Sequence, residues 1–437
     1  MSQSARFRRR ILGLLRARLP ELALDRVEDP RHDKGLRWQL PALLSVVLTA
    51  MVAGCRSLRD AEELTTRVTR CVGRRLLHVA RRVPDTTLRT VLCALSPEQI
   101  RALLHCQIRQ AHRRKSLQQT ALPIGVVAID GKSTILPSCD DHFAQRQTAE
   151  GGAVRGALRT MTCCLISSSA SPCIDAIPIP ADTNEMAIYQ RCVADLVETY
   201  GQLDCFRMVA TDAGSCSQDN AAFTRSQGLH YLFALKSTQP TLHDEAVRLL
   251  GALEDYEAVA RSEDHLGGDR VVRRNLHITR QMDGYCWEHL RTVLRVQSQT
   301  WDHGVLIKSE DRYFVCSLAA DRLSNTQWLQ LVRRYWMVEN GPHYTLDVAL
   351  HEDDHPWIEA DPQGALVLAL LRRVAYNLLA LFRNVTLRSE SSRMMPWRQL
   401  IGELRQALLD ACDSDLTTRR TPIPALAAAS LSQPALG

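Results

Sequence analysis

The sequence lacks three features that would place it in other classes of protein. Its 14 cysteines include no Cys-x-x-Cys pair and no grouping beside histidines, so neither a zinc motif nor a disulfide framework is predicted. The apolar run at residues 40–54 is shorter than the roughly 20 residues that a bilayer span requires, and we expect it to form a core helix. No secretory signal is evident, and scattered thiols are typical of a reducing compartment, so we expect a cytoplasmic protein.

Acidic residues are scarce in the first part of the chain. Residues 2–18 are rich in arginine and contain no acid, and Asp85 is the sole acid in the arginine-rich segment 67–89. Over all 437 residues, 54 Lys and Arg against 48 Asp and Glu give a net charge of +6, which permits a polyanionic partner without requiring one. The arginine clusters are compatible with DNA phosphates as partners and equally with solvent-exposed helix faces.

Periodicity divides the chain into five segments. Apolar residues at helical spacing predict an all-α N-terminal domain at residues 1–115, and strands alternating with helices predict a mixed sheet flanked by helices at 120–250 and 319–412. Between 251 and 318 the helical period disappears, and short alternating segments predict an inserted β subdomain. Residues 413–437, rich in Pro, Ala and Ser, are predicted to be a disordered tail. The fold class is therefore α/β.

Three acids stand at the ends of apolar segments far apart in the sequence. Asp130 follows the predicted strand 125–129, Asp212 follows the predicted strand 206–211, and Glu339 lies in the helical segment after residue 326. Acids at neighbouring strand ends of one sheet can share a divalent ion, and a glutamate on a helix packed over that edge can complete the site. Because all three ligands are oxygens, Mg²⁺ is favoured over zinc. Two such ions about 3.5–4 Å apart support in-line phosphoryl transfer.

Short blocks around these acids resemble the insertion-sequence DDE transposases, in the branch of the H-repeat-associated proteins. The first catalytic block matches Ala-Ile-Asp-Gly-Lys at 128–132, and the third matches Trp-Met-Val-Glu-Asn at 336–340 with His343 and residues 346–348. The second block matches residues 183–185, 211–213 and 234–239, and the N-terminal region of the family matches 29–31, 53–58 and 84–92. The blocks occur in the family's order and are distributed along most of the chain.

This resemblance implies a fold, an activity and partners. The fold is an RNase H-like domain interrupted by a β insertion, with Asp130, Asp212 and Glu339 as the catalytic and metal-binding triad. The cofactor is Mg²⁺ or Mn²⁺, with two ions per active site. The partners are the double-stranded terminal inverted repeats and target DNA, bound by a homodimer. The reaction is strand cleavage followed by attack of the freed 3′-hydroxyl on target DNA.

Some positions depart from the related transposases. Those proteins often carry a Tyr-x2-Arg-x3-Glu-x6-Lys pattern around the glutamate, and this chain has Val332, Tyr335 and Leu346 at the three other positions. We therefore expect neighbouring or strand-terminal cations to contact DNA. They are Lys132, Lys236, Arg333 and Arg334, with Arg270, Arg273 and Arg274 in the β insertion. Lys132 is expected to face the scissile phosphate.

Two other interpretations remain open. His351-Glu352-x-x-His355 formally matches the zinc-peptidase signature, which needs both histidines on one face of a helix, although Pro356 is unfavourable for continuing that helix. The chain could also be a catalytically decayed or domesticated DNA-binding relative, since the neighbours of the triad are altered. Equal plasmid excision in cells by wild type and a variant that lacks Asp212 would favour this second interpretation.

Overall fold

The computed structural model describes residues 3–32, 36–136, 144–148, 154–281, 285, 287, 289–336, 338–387 and 389–416. Fifteen α-helices occur in this part of the chain. Their bounds are α1 Gln3–Arg18, α2 Leu40–Val52, α3 Leu58–Arg67, α4 Arg70–Val72, α5 Asp85–Ala94, α6 Pro97–Arg113, α7 Glu185–Tyr200, α8 Gln218–Ser226, α9 Pro240–Leu250, α10 Asn325–Tyr335, α11 Tyr344–Val348, α12 Pro362–Leu381, α13 Glu390–Arg393, α14 Trp397–Asp410 and α15 Asp413–Leu416.

Ten strands in the described residues form a single mixed sheet. They are β1 Val126–Leu136, β2 Ala144–Thr148, β3 Val154–Leu165, β4 Cys173–Pro178, β5 Met208–Thr211, β6 His230–Leu235, β7 Ala260–Gly267, β8 Arg270–Thr279, β9 Thr292–Asp302 and β10 Val305–Cys316. The order across the sheet is β2-β3-β1-β5-β6-β10-β9-β8-β7, and β4 pairs with β3. The expectation of a mixed α/β architecture is confirmed.

The centre of the sheet is parallel. Strand β1 runs parallel to β5, and β5 runs parallel to β6, whereas β3 and β10 join this centre in antiparallel fashion. Parallel neighbours end at the same edge of a sheet, so the residues that follow β5 and β6 lie beside the middle of the longer strand β1. The strands β7 to β10, predicted as an insertion, form an antiparallel meander that continues the same sheet through β10 and β6.

Alternate residues of β1 enter two different hydrophobic cores. Val127 and Ile129 belong to the core that contains the apolar face of α7, whereas Val126 and Ala128 belong to the core that contains α12. This alternation is the two-residue period of a strand buried on both faces. It places Asp130 and Lys132 on the α12 side of the sheet and Gly131 on the α7 side.

Helix α12 is the central helix of the larger core. Its N-terminus is fixed by Asp361, whose side chain accepts a hydrogen bond from the Gly364 amide at 2.6 Å, and by Pro362 in the first turn. Among the described residues, the stretch Pro362–Thr386 passes a length-and-composition test for a membrane span, yet its apolar window is entirely buried inside the protein, as in a core helix. This stretch is also longer than the run at 40–54 that the sequence singled out.

The N-terminal segment is helical, as predicted, and its core is continuous with α12. Helices α2, α5 and α6 contact α12, and their apolar residues belong to the same cluster. The predicted tail is in part wrong, because α15 at residues 413–416 is ordered against α1 through ion pairs of Asp415 with Arg8 and Arg9. Residues 417–437 lie outside the described residues.

Candidate active site

Strand register brings Asp130 and Asp212 side by side. The last registered pair between the parallel strands β1 and β5 is Ile129 with Thr211, and each aspartate is the next residue in its chain. Strand β5 ends at this point and Asp212 begins a short turn, so its carboxylate is exposed at the edge of the sheet. The Asp130 side chain is 18% exposed at the same edge. Two acids separated by 82 residues in sequence therefore meet where the sheet opens.

Glu339 reaches this edge from the α12 side. Helix α10 is started by a capping box between Ser324 and Gln327 and ends at Tyr335, and Glu339 begins a wider π-helical turn. Burial raises the pKa of the Tyr335 hydroxyl, and the carboxylates of Asp130, Asp212 and Glu339 raise it further. A single buried hydroxyl thus lies within the electrostatic range of all three predicted acids, so the three share one neighbourhood.

The pKa of Asp130 depends on its burial and on the charges of the neighbouring residues. Burial raises it from the usual 3.8 to about 7, and the negative charges of Glu339, Asp212 and Glu185 contribute in that order. A hydrogen bond from the Gly131 amide acts in the opposite direction. None of the largest contributions to the pKa of Asp130 comes from a cation. The edge therefore holds an excess of negative charge that a divalent cation would neutralise.

His343 is the residue in direct contact with Asp130. Its Nδ1 lies 3.4 Å from Asp130 Oδ2, and its Nε2 is buried without a hydrogen-bond partner among the described residues. Burial lowers the pKa of His343 to about 3, and the positive charges of Arg373 and Lys132 add to this effect. The imidazole is therefore neutral and does not compensate the carboxylate.

The donor set has the chemistry of a magnesium site, although its side chains do not enclose a point. Within the described ranges, no three His, Cys, Asp or Glu side chains are grouped closely enough to hold a metal ion as they stand. The arrangement is an open edge of carboxylates, the ligand type that Mg²⁺ and Mn²⁺ prefer. Charge and ligand type therefore fit a divalent cation, whereas the present rotamers leave the site open.

Lys132 does not face the open edge as expected. It is 7% exposed, and its Nζ donates to Asp347 at 2.6 Å and to Asp353 at 3.2 Å. The buried Glu352 lies next to the same amine and forms an ion pair with Arg373. The carboxylates of Asp347 and Asp353 explain this direction, because they hold the amine on the α12 side two residues beyond Asp130. The lysine therefore fixes β1 against the helices behind the site.

The zinc-peptidase interpretation of residues 351–355 is wrong. His351 has a left-handed backbone with φ of 55°, and residues 352–354 form a turn, so no helix carries both histidines on one face. Glu352, the expected general base, is 0% exposed and paired with Arg373. A fully buried carboxylate held by a guanidinium cannot act on a substrate at the surface.

The two arginines before Glu339 have structural partners. Arg334 is half-buried and donates to the backbone carbonyls of Ile166 at 2.6 Å and Ser168 at 2.8 Å, so the expectation that it contacts phosphate is not supported. Arg333 makes two hydrogen bonds to Asp264 of β7, at 2.8 and 2.6 Å. These contacts join α10 to the loop after β3 and to the outer strands.

The arginines of the β meander lie on its exposed surface. Arg270 pairs with Asp302 at 2.9 Å, Arg273 donates to Glu263 at 2.7 Å, and Arg274 pairs with Asp264. Lys236 is exposed immediately after β6, at the edge of the sheet that carries Asp212. Their role in DNA binding stays a prediction, since exposed ion pairs exchange partners at little cost.

Sequence reasoning gave no role to two residues at this edge. Glu185 appeared only within a matching block, and the helix-start signal of Asn184 could have drawn attention to it, because a cap fixes the direction of the first turn. Arg312 on β10 stacks over the Trp336 ring at 3.8 Å and lowers the pKa of the nearby Tyr335. No sequence signal marks Arg312, since its neighbours come together only through the pairing of β10 with β6.

Comparison with known proteins supplies independent information. A family profile described as DDE_Tnp_1-associated matches residues 22–106. "Putative protein YbfL" and "H repeat-associated putative transposase YhhI", both of Escherichia coli strain K12, are each 24% identical over 382 residues, which cover 81% of this chain and 88% of theirs. "Putative transposase YncI" of Escherichia coli O157:H7 is 25% identical over 276 residues, 58% of this chain and 61% of its own. The associated domain at its N-terminus and the relatives that align along most of its length support a transposase of the H-repeat-associated branch.

Proposed function

We propose that this protein is a DDE transposase that cleaves DNA strands at the ends of an insertion sequence and transfers them to target DNA. Asp130, Asp212 and Glu339 are the catalytic acids, carried by an RNase H-like sheet. The observation that supports this most strongly is the register of β1 and β5, which sets Asp130 beside Asp212 at an edge where neighbouring acids raise the pKa of Asp130.

The three carboxylates would hold two Mg²⁺ or Mn²⁺ ions. When bound, such ions activate the attacking water or 3′-hydroxyl and stabilise the leaving oxygen of an in-line displacement. The chain's own residues keep the ligands in place. His343 packs against the Asp130 carboxylate, and Tyr335 lies buried beneath the acids. Lys132 ties the same strand to Asp347 two residues beyond Asp130, which fixes β1 next to the site.

The DNA partners follow from the same proposal. The substrate is double-stranded DNA with the terminal inverted repeats of the element, and a homodimer would cut two ends in one complex. Lys236 and Arg312 lie at or near the acid edge, and Arg270, Arg273 and Arg274 lie along the meander in ion pairs with acids. The Lys236 ammonium and the arginine guanidinium groups suit phosphate contacts. A cytoplasmic location in association with the nucleoid agrees with DNA substrates.

The test is excision of the element from a plasmid that carries it with its own ends. The wild-type chain should excise it, and Asp212→Asn should abolish excision while the purified variant keeps its melting temperature. Asp219→Asn is the matched control, because Asp219 is also exposed after β5, in the first turn of α8, and has no part in the charge coupling of Asp130. In vitro, chelation should stop strand cleavage, and Mg²⁺ or Mn²⁺ should restore it. Equal excision by wild type and Asp212→Asn would overturn the proposal and favour a non-catalytic DNA-binding relative.

A further inference from the structure

Glu185 lies at the same edge as the proposed catalytic acids but comes from the opposite face of the sheet. It is the first residue of α7, and the Asn184 side chain accepts a hydrogen bond from the Ala187 amide at 3.1 Å. This cap fixes the first turn of the helix, because it satisfies one of its free amides. The apolar side of α7 packs in the core that contains Val127 and Ile129. The helix therefore points its start toward the place where β1 carries Asp130.

The backbone of β1 accommodates the Glu185 carboxylate at Gly131. A Cβ atom at Gly131 would lie 2.0 Å from Glu185 Oε1, 2.2 Å from its Cδ and 2.6 Å from its Oε2. No real side chain tolerates such contacts, so the carboxylate occupies the space that a side chain at position 131 would fill. Gly131 directly follows Asp130, and alternation turns the two residues to opposite faces. Glu185 and Asp130 thus lie on opposite faces of the same stretch of β1 at the open edge.

The charges of these residues are coupled. Burial raises the pKa of Glu185, and the negative charge of Asp212 raises it further, while Arg159 acts in the opposite direction. Glu185 in turn contributes to the raised pKa of Asp130. Four carboxylates therefore share this edge, and each added acid makes the metal-free site less favourable. Such an excess of charge is retained where a cation binds.

A buried hydroxyl beside Asp130 indicates a missing ligand independently of the charges. Thr162 on β3 is directly opposite Asp130 in the antiparallel register, so both side chains lie on the same face. Thr162 is 0% exposed, and its Oγ1 has no hydrogen-bond partner among the described residues. Buried hydroxyl groups are nearly always hydrogen-bonded, so this one requires a partner. Water carried by a cation bound at Asp130 is a partner of the right size and polarity, and it would contact Thr162 on the face opposite to Glu185.

We propose that Glu185 is a fourth carboxylate of the active site and contributes to the binding of a divalent cation beside Asp130 and Asp212. The inference rests on the proposed transposase chemistry and adds to it a ligand from the other face of the sheet. The three acids of the triad all act from the α12 side or from the edge itself. A ligand on α7 would make the site two-sided, and the absence of a side chain at Gly131 is what admits it.

The test measures Mn²⁺ binding by titration calorimetry and by the rise in melting temperature on adding Mn²⁺. Glu185→Gln keeps the size of the side chain and removes its charge, and we expect Mn²⁺ affinity to fall roughly tenfold or more, since even indirect partners of metal ligands cost about 10–100-fold. The melting temperature without metal should rise, because one of four mutually repelling charges is gone. Weaker Mn²⁺ binding together with higher metal-free stability is the result that a purely structural role would not give.

Two variants separate failure of this inference from failure of the proposed function. Asp130→Asn should lose Mn²⁺ binding if the triad binds metal at all. Glu198→Gln is the control for Glu185, because it removes an exposed acid from the same helix, about 20 Å along its axis at 1.5 Å per residue. If Asp130→Asn loses Mn²⁺ binding and Glu185→Gln retains it, Glu185 is not a ligand although the triad stands. If Asp130→Asn binds Mn²⁺ like wild type, the proposed metal site itself is wrong.

Gly131→Ala is a second route to the same answer, should Glu185→Gln fail to fold. The new methyl group must displace the flexible Glu185 carboxylate, so Mn²⁺ affinity should fall as it does in Glu185→Gln. The double variant Gly131→Ala with Glu185→Gln should bind Mn²⁺ no more weakly than the weaker single variant, because both changes remove the same ligand. Additive losses would contradict the proposal, since they would mean that the two residues act separately.

Discussion

Two groups of carboxylates lie near β1 and differ in how their charge is balanced: the acids at the open edge beside Asp130, and Asp347, Glu352 and Asp353 around Lys132. At the edge, the pKa of Asp130 is raised to about 7 by burial and by neighbouring acids, and none of the largest contributions comes from a cation. Behind the edge, burial opposes ionisation of Glu352, yet Arg373, Lys132 and Arg372 hold its pKa below the usual range. Glu352 is fully buried and still charged, whereas Asp130 is partly exposed and its charged form is electrostatically unfavourable.

This difference in charge balance separates acids that pair with cations of the protein from acids that we expect to bind a ligand. Lys132 is only two residues from Asp130 on the same face of β1, yet its amine turns toward Asp347 and Asp353. Cations of the fold thus lie next to Glu352, whereas none of the largest contributions to the pKa of Asp130 comes from a cation. A buried acid with protein partners stabilises the native state once those partners are present, and an acid without them awaits a cation.

The largest effect is expected from breaking the balanced group. Arg373→Met removes the guanidinium that pairs with the fully buried Glu352, and leaving that charge without its partner should cost roughly 3–5 kcal/mol in the free energy of unfolding. Urea denaturation at pH 7.5 measures this change. The double variant Arg373→Met with Glu352→Met should recover most of the loss, because apolar pairs of similar volume often replace buried ion pairs. A single variant as stable as wild type would show that the pair does not hold this region together.

Removing a charge from the edge group should raise the free energy of unfolding instead of lowering it. Asp130 binds a proton more tightly in the folded state than in the unfolded chain, with a pKa of about 7 against 3.8. Between these values the native state binds more protons, so stability should fall as pH rises from about 4 to about 7. A difference of about 3 pH units corresponds to at most about 4 kcal/mol. In chelator, Asp130→Asn should therefore be more stable than wild type at pH 7.5 and should lose this part of the pH dependence, as followed by urea denaturation from pH 4.5 to 8.

Asp219→Asn again provides the control for this measurement, since it removes an exposed acid near the same edge without entering the coupling. Its pH profile should match that of wild type. An Asp130→Asn protein that is less stable than wild type in chelator at pH 7.5 would show that the Asp130 charge is compensated after all, and the comparison between the two groups would fail.

The sequence predicted the edge group because strand patterns carry the required information. An apolar run that ends in an acid places that acid at a strand end, and parallel neighbours end together, so Asp130 and Asp212 could be paired before any coordinates were known. The mixed α/β class followed from the alternation of strands and helices in the same way. Glu185 is reached only when the close approach of α7 to Gly131 is seen, and no local pattern encodes that distance.

The balanced group could not be predicted, since its partners come from distant segments. Lys132 follows the first aspartate by two residues and looked like a phosphate contact, but its acids come from residues 347–353, more than 200 positions later. Arg334 looked like a DNA contact for the same reason and instead donates to carbonyls of the loop after β3. The type of a charged residue is visible in sequence, whereas the partner that decides its role depends on tertiary packing.

Arg334 offers a smaller, structural test of this distinction. Arg334→Ala should destabilise the fold by about 2 kcal/mol, because two carbonyl oxygens lose a charged donor. It should leave the salt dependence of DNA affinity unchanged, since the side chain is occupied within the protein. Urea denaturation gives the first quantity and fluorescence anisotropy with duplex DNA at several salt concentrations gives the second. A flatter salt dependence would mean that Arg334 leaves its carbonyls to bind phosphate.

The smallest effect on stability is expected from the exposed arginines of the meander. Replacing Arg270, Arg273 and Arg274 together by Gln removes surface ion pairs with Asp302, Glu263 and Asp264, which contribute little to folding. If all three contact phosphates, the slope of log affinity against log salt should fall by about 2.7, or 0.9 for each contact. Neutralising the acidic partners Asp302 and Glu263 instead should release two of these arginines and strengthen DNA binding, because the competing carboxylates are gone. Both sets of changes break the same ion pairs. If the arginine variant binds DNA more weakly than wild type and the acid variant binds it more tightly, the arginines contact DNA. If both variants bind DNA like wild type, the meander is not part of the DNA-binding surface.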